Sequence, residues 1–419
     1  MASTVHAPWM AAPATRAVID ALTADGADVR FVGGCVRDAL LGRESSDIDI
    51  GTPDPPERVI ALLKSTGIET RTVPRGIAHG TVTALSGDKR YEITTLRRDE
   101  RTDGRHAEVA FTDDWREDAA RRDFTINAMS ATPDGTLHDY FGGQADLNAG
   151  RVRFVGDPAT RIAEDHLRLL RFFRFHAWYG RGEPDEAALD ACEAAAHTIP
   201  SLSGERVRDE MMKLLWAPNP VPTVDSMQEA GVLSLLLPEA QETAHLTRLV
   251  EIERILGDAD PIWRLACLIT GSNDAMSAAN AIAKRWRLSG ADGTRLAALF
   301  TPSESFRPGL ELSVQYRLLY RHGPRLFRDL GLLAWATKSK GEGEEAWRAM
   351  LLRAETWEAP TFPVTGADVL ACGVQAGPEV GELLRAVEDW WIDQDFEPDR
   401  AALLQKLDAL IDERRFRPP

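Results

Sequence analysis

The chain has 419 residues, 44% of them hydrophobic, and a formal net charge of −16. That length carries about two to four domains with sizeable cores. The acidic balance excludes a protein that coats nucleic acid without selection, and the longest apolar runs, such as 231–237, are far too short for a membrane helix.

Residues 1–17 lack acids but also lack a long apolar stretch, so they predict the frayed start of a helix rather than a signal peptide. Cys35, Cys192, Cys267 and Cys372 lie far apart with no CxxC pair. This argues against a disulfide framework or a zinc site and for a reducing, cytoplasmic compartment. The charge is unevenly spread. Between residues 151 and 181, seven arginines stand against three acids, a candidate RNA or triphosphate site; the plain alternative is an arginine-rich helix face in solvent.

In chain order, residues 14–25 predict an amphipathic helix and 29–32 a short strand broken by Gly33 and Gly34. A helix over 36–41 ends at Gly42. Residues 47–50 alternate acid and isoleucine, the period of a strand. A helix follows over 58–65, then strands over 80–85 and 90–96 with a turn at 86–88. Residues 97–114 form a charged, glycine-containing loop. From about residue 158 the pattern is helical, punctuated by turn signals near 180–184, 200–204, 218–222, 257–261, 290–293, 302–308, 341–343 and 360–363.

The chemistry concentrates in Gly33-Gly34-Cys35-Val36-Arg37-Asp38 and Asp47-Ile48-Asp49. Strand residues two apart share a face, so Asp47 and Asp49 present both carboxylates together. Such a pair repels itself when empty and is relieved by a divalent cation, the arrangement phosphoryl transfer requires. The glycine pair lets backbone amides approach a phosphate at a helix start, and Arg37 one turn on can fork onto it. Asp165 and Arg168, three apart, are expected on one helix face. Cytosine and adenine each offer an amino donor beside a ring-nitrogen acceptor, which a carboxylate and a guanidinium match; guanine and uracil reverse that edge. The mismatch leaves buried polar groups unpaired, on the order of 10⁴-fold in discrimination. The alternative is an ordinary surface ion pair. Glu92 is either a third carboxylate near the metals or an outward surface residue. Asp123 is read as a cap or salt-bridge partner, and Thr125 and Asn127 as supports of the turn that follows. Arg317, Arg321, Arg325 and Arg328 recur at helical spacing beside Tyr316 and Tyr320. They line either an RNA backbone or a solvated face, and Arg414, Arg415 and Arg417 share the ambiguity.

Phe31-Val32-Gly33-Gly34-Cys35-Val36-Arg37-Asp38, continuing to Arg43 with Asp47 and Asp49, resembles the first motif of the class II tRNA nucleotidyltransferase/poly(A) polymerase family. The run from Arg121 to Met129 resembles its second, and Asp139 to Gly143 with Asp146-Leu147 its third, a hinge between domains. The run from Arg161 to Arg174 resembles the nucleotide-selecting helix. Ser203 to Arg208 with Glu210 and Lys213 resembles the last motif. The five motifs stand in the family's order. The resemblance implies an α+β fold: a polymerase-beta-like head with a mixed or antiparallel sheet over about residues 1–150. A helical neck would follow over 151–215, then helical RNA-binding body (216–330) and tail (331–419). It implies template-independent addition of CMP and AMP to the tRNA 3′ end from CTP and ATP, with Mg2+ as cofactor and no DNA or membrane partner. Asp47, Asp49 and Glu92 would be catalytic. Gly33, Gly34, Arg37, Arg122, Asp165, Arg168, Arg171 and Arg174 would hold the nucleotide. It also implies that the 97–114 loop is flexible and helps the switch from C to A addition. His79, in Gly76-Ile77-Ala78-His79-Gly80, resembles the tRNA-directed branch; a turn-stabilising histidine is the alternative. Poly(A) polymerase and partial CC or A addition are the alternatives within this chemistry, and a non-catalytic RNA-binding protein the alternative outside it. Beyond residue 200 the only histidines are His245 and His322, neither followed by Asp, so no HD-type phosphohydrolase domain is expected.

Overall fold

The computed structural model describes residues 4–45, 47–71, 80–102, 107–240, 243–301 and 306–415; His79 and Arg417 lie outside them. The chain divides into two compact units, Met1–Thr243 with Lys284–Leu288, and Ala244–Ala283 with Ser289–Pro419.

The first unit opens with α1 (Pro13–Thr23), β1 (Arg30–Val32), α2 (Gly34–Leu40), β2 (Ile48–Thr52), α3 (Pro56–Ser65) and β3 (Glu69–Arg71). It continues with β4 (Thr81–Ser86), β5 (Lys89–Thr95), β6 (Arg97–Thr102), β7 (Ala107–Phe111), α4 (Trp115–Ala120), β8 (Ser130–Ala131) and β9 (Leu137–His138). Seven strands form one mixed sheet in the order β3-β4-β5-β2-β1-β8-β9. Only the β2–β5 pair within it is parallel. Strand alternation decides which face carries chemistry. Ile48, Ile50, Val82, Ala84, Tyr91 and Ile93 are fully buried on the face that α1 and α3 cover, where Thr15 and Tyr91 share a 3.0 Å hydrogen bond. Asp49 and its register partner Glu92 project from the other face. A one-residue slip would expose both isoleucines, at about 1.5–3 kcal/mol each, and bury a carboxylate.

Residues 97–114, expected as a loop, instead carry the β6–β7 hairpin, a separate two-stranded sheet with a register shift between Asp99 and Arg101. Dense charge hid the alternation that would have marked two strands.

The same unit continues through α5 (Gly143–Ala149), α6 (Pro158–Glu164), α7 (Leu167–Tyr179), α8 (Glu186–Ala195) and α9 (Gly204–Leu215). Buried Phe172 and Phe175 of α7 pack against Phe124, whose ring lies 4.7 Å from that of Phe154. Thr125 donates to buried Asp146 at 2.7 Å, so the turn after the sheet is tied to α5. Large aromatic side chains of this kind join the sheet-bearing residues to the helices by close packing.

The second unit is helical. Helices Ala244–Leu256, Pro261–Ile269, Gly290–Ala298, Leu312–Ala336 and Glu344–Thr356 enclose one core, in which Trp335 and Trp347 stack at 6.3 Å. Helices Gly366–Ala371, Pro378–Asp393 and Arg400–Arg415 enclose another around Leu383, Val387, Trp391, Leu403 and Leu407. The turn expected at 290–293 is the first turn of a helix. Ser289 caps the Asp292 amide at 3.1 Å, which outweighs the weak helix preference of the two glycines. Conversely, Gly323 (φ 72°) before Pro324 kinks Leu312–Ala336, so the arginines at 317, 321, 325 and 328 do not share one continuous face. Arg317 and Arg321 pair with Asp393 and Asp389 at 3.3 and 3.4 Å, and Arg328 pairs with Asp258 and Glu355. Arg414 pairs with Glu382 at 3.0 Å.

Candidate active site

A cleft of ≈ 710 Å³ in the first unit brings together Gly33, Gly34, Arg37, Asp47, Asp49, Arg122, Asp165, Arg168, Arg171 and Arg174. These are all the residues expected to be catalytic or to hold the nucleotide, except Glu92. Residues more than a hundred positions apart thus share one solvent-filled space.

One wall is the β1–α2–β2 segment. Gly33 has φ 71° and ψ −126°, a conformation that side-chain-bearing residues rarely adopt. A Cβ there would also stand 2.9 Å from Arg122 Nη1. The Gly33 amide donates to the Met129 carbonyl at 3.1 Å, and Gly33, Gly34 and Cys35 all line the cleft. Cys35 donates to the Val32 carbonyl, and burial pushes its thiol up to about 12, so it is an inert packing group.

Asp47 is exposed just before β2, and Asp49 sits on the strand. Burial, then the negative charges of Glu92 and Asp47, push the Asp49 carboxyl up to about 6 against the pull of Arg122. Glu92 neighbours Asp49 across the parallel register, but its carboxylate pairs with Arg90 and it does not line the cleft. Among the described residues no three His, Cys, Asp or Glu side chains are grouped to hold a metal. The two aspartates nevertheless fit Mg2+, which binds through one or two carboxylates while water and substrate phosphate oxygens complete its shell. The Asp49 carboxyl is raised chiefly by burial, with the charges of Glu92 and Asp47 adding to it, and a cation beside it would be favoured.

The other wall is α7 and its approach. Asp165 was expected on a helix face with Arg168. Instead it stands in an extended break (φ −150°, ψ 106°) between α6 and α7. Its carboxylate accepts from the Leu167 amide at 3.1 Å and from Arg206 at 2.8 and 3.0 Å. Arg168, on the first turn of α7, is held by Glu164 and by the Arg161 and Arg121 carbonyls at 3.1 and 3.2 Å. The two side chains therefore do not pair with each other, and both face the cleft. The break arises because the Asp165 side chain caps the new helix, satisfying an amide that a continuous helix would have bonded internally.

Between the walls lies a layer of arginines. Arg37, Arg171 and Arg174 surround the Phe175 ring at 5.3, 5.3 and 4.4 Å. Arg174 pairs with Glu210 at 3.0 Å; burial outweighs that pairing and lowers its guanidinium. Arg122 pairs with buried Asp118 at 3.1 Å. Arg37, read from the sequence as a phosphate fork, turns inward. It is buried, forks onto Asp38 at 3.0 and 2.9 Å, and donates to Asn127 at 2.5 Å. Its donors are satisfied by protein because the same helix turn also supplies the acid. The sequence reading missed Arg206, Glu164 and Asn127 as cleft-shaping groups. Arg206 lay inside a recognised motif, but its partner is 41 residues away.

Asp123 is the buried hinge of this layer. Burial would raise its carboxyl, but Arg171 and the hydrogen bonds from Asn127, Arg171 and the Phe124 amide win and hold it down at about 2. Asp123→Ala should destabilise the fold by about 3 kcal/mol, because half-buried Arg171 loses its nearer partner and keeps only Glu210 at 3.8 Å. A group with a lowered folded value stabilises above its unfolded value and loses that contribution as pH falls. The wild-type melting temperature should therefore drop between pH ~4 and ~2 more steeply than that of the variant. Thermal melts across that range check this; parallel curves would refute it.

Residues 29–153 match the family described as poly A polymerase head domain, and 183–243 the one described as probable RNA and SrmB-binding site of polymerase A. The human mitochondrial CCA tRNA nucleotidyltransferase 1 is 34% identical over 393 residues, covering 90% of this chain and 86% of that protein. The CCA-adding enzyme of Levilactobacillus brevis is 30% identical over 378 residues, covering 89% and 91%. The Bacillus stearothermophilus CCA-adding enzyme in complex with CTP superposes with a TM-score of 0.77 at 28% identity, covering 96% of this chain and 99% of that one.

Proposed function

From the premise that the chain belongs to the CCA-adding tRNA nucleotidyltransferase family, we propose that the cleft between β2 and α7 is where that reaction takes place, and that its residues divide the work as follows. The enzyme adds CMP and AMP to the tRNA 3′ end from CTP and ATP. The RNA 3′-oxygen forms a bond to the α-phosphorus, the bond from that phosphorus to the leaving oxygen breaks, pyrophosphate departs and the hydroxyl loses its proton.

Asp47 and Asp49 hold divalent metal, with Mg2+ as the proposed ion. When bound, the metal supplies positive charge to the triphosphate and favours the ionised hydroxyl. Glu92 acts on Asp49 through its charge rather than as a third ligand, which is the geometry of its pairing with Arg90. The turn at Gly33 and Gly34, with Arg122, Arg171 and Arg174, receives the triphosphate: these guanidiniums crowd one another and gain from an anion. Asp165 and Arg168 read the base, accepting from the amino group and donating to the ring nitrogen of cytosine or adenine. Arg206 bonds to Asp165 and Glu164 to Arg168, which fixes the direction of both side chains in the cleft. Residues 1–150 are proposed as the catalytic head, 151–215 as the neck and the remaining helices (216–330 and 331–419) as RNA-binding body and tail. The cytoplasm is proposed as the compartment, in keeping with four free thiols.

The observation that supports this reading is that Asp47, Asp49, Asp165 and Arg168 line one cleft. The test is incubation of the purified protein with tRNA lacking its CCA end and each of the four triphosphates. CMP and then AMP should be added, and UMP and GMP should not. Addition of AMP alone would sink full CCA addition in favour of A addition, and no addition at all would sink the enzymatic reading of the cleft.

A further inference from the structure

Helix α7 is tied to the sheet-bearing part of the first unit at both ends. At its start, Arg168 donates to the Arg121 carbonyl and Arg171 pairs with Asp123. About 18 Å further along, given the rise of 1.5 Å per residue, Tyr179 closes the helix. Its hydroxyl donates to Asp38 Oδ1 at 3.0 Å. Its ring lies 4.1 Å from the Arg37 guanidinium and 5.1 Å from that of Arg43. Asp38 and Arg37 belong to α2, whose first residues form the turn that opens toward the cleft. From Arg37 the contacts run on through Asn127 to Asp123 and Arg171. Tyr179 therefore ends a continuous chain of charge-assisted hydrogen bonds spanning the cleft floor.

On the proposed reading, the Gly33–Gly34 turn receives the phosphates together with the arginines beside it, and Asp165 and Arg168 at the start of α7 receive the base. The two walls must then stand apart by the length of one nucleotide. We infer that Tyr179 is a positioning residue for nucleotidyl transfer: by clasping Asp38 and Arg37 it sets the distance between the Gly33–Gly34 turn and the base-reading end of α7. The inference rests on the proposed roles of those two walls. Tyr179 touches neither the base nor the phosphates in this arrangement. CTP and ATP share the ribose and triphosphate, so loosening the clasp must weaken both alike.

The experiment uses the full chain with tRNA lacking its CCA end and measures KM and kcat for CTP and ATP separately, with a thermal melt beside each variant. Tyr179→Phe keeps the ring between the arginines and loses only the hydroxyl. It should raise KM for both nucleotides by a common factor of about 5, with kcat little changed and CMP still preferred over UMP to the wild-type extent. Tyr179→Leu removes the ring as well, and kcat/KM should fall about 100-fold for both. Unequal effects on CTP and ATP overturn the inference. So do unchanged constants in both variants, or losses that vanish when assays are run well below the melting temperature. Asp49→Asn is assayed in parallel. If it retains turnover, the reading of the cleft fails and takes this inference with it. If it is inactive while both Tyr179 variants match wild type, the inference alone is wrong.

Discussion

Asp49→Asn is expected to lower nucleotide addition by at least about 10³-fold, about 4 kcal/mol in the barrier, while making the metal-free protein more stable at neutral pH. Both effects come from one side chain. The carboxylate is half-buried, near Glu92 and Asp47, and its value rises from an ordinary 3.8 to about 6. The folded state then binds that proton more tightly than the unfolded chain does. For a raised carboxyl, stability is full below the unfolded value and falls as pH climbs through the folded one. Wild-type protein stripped of divalent metal should lose up to about 3 kcal/mol between pH ~4 and ~6. The asparagine variant should be flat across that window. Added Mg2+ should raise the wild-type melting temperature at pH 7 and leave the variant unmoved. Two results would sink the argument: turnover surviving in the variant, or melting curves that run parallel from pH 4 to 7.

The second large effect concerns choice of base. Asp165→Ala is expected to reduce kcat/KM for CTP and ATP by about 10²–10³-fold while changing UTP and GTP little, so that discrimination on the order of 10⁴ collapses to about 10 or 100. The reason is asymmetric. The carboxylate accepts from the amino group of cytosine or adenine, a bond that uracil and guanine do not make there, so its removal costs CTP and ATP alone. Arg206 adds a refinement, because it holds both carboxylate oxygens and so fixes their direction. Arg206→Ala should lower selectivity by a smaller factor than Asp165→Ala while leaving the carboxylate in place. Single-nucleotide incorporation with each triphosphate, on the same truncated tRNA, reads both variants. A uniform loss across all four triphosphates would show that Asp165 supports the fold of the break rather than reading the base.

The neck also shows why pairing cannot be inferred from spacing. Asp165 and Arg168 are three residues apart, which on an unbroken helix would have placed them together. The helix is interrupted between them, and each found a partner elsewhere: Arg206 for one, Glu164 for the other. Helix propensity has no term for a side chain that bonds to the first amides of a new helix within a segment that otherwise reads as one helix. The same holds for the arginines of Leu312–Ala336. Their regular recurrence suggested one basic face, and the glycine–proline step at 323 and 324 breaks it. In that case the signal was present in the sequence, as a Gly-Pro pair, and was outweighed by the periodicity around it.

What the sequence determined by itself is local. The strand, glycine turn, helix and second strand that present Asp47 and Asp49 follow from alternation and from one backbone conformation that glycine adopts easily. Both are properties of a few adjacent residues, and the order of the motifs adds the family. What only the tertiary structure decided is partnership. Arg37 bonds to Asn127, 90 residues on, and Glu92 came beside Asp49 through parallel pairing of strands. Tyr179 reached Asp38 across 141 residues. The physical reason is that a charged group's role depends on which opposite charge and which low-dielectric surroundings reach it first. Those are set by packing between segments distant in the chain, whereas alternation and turn chemistry are written within each segment.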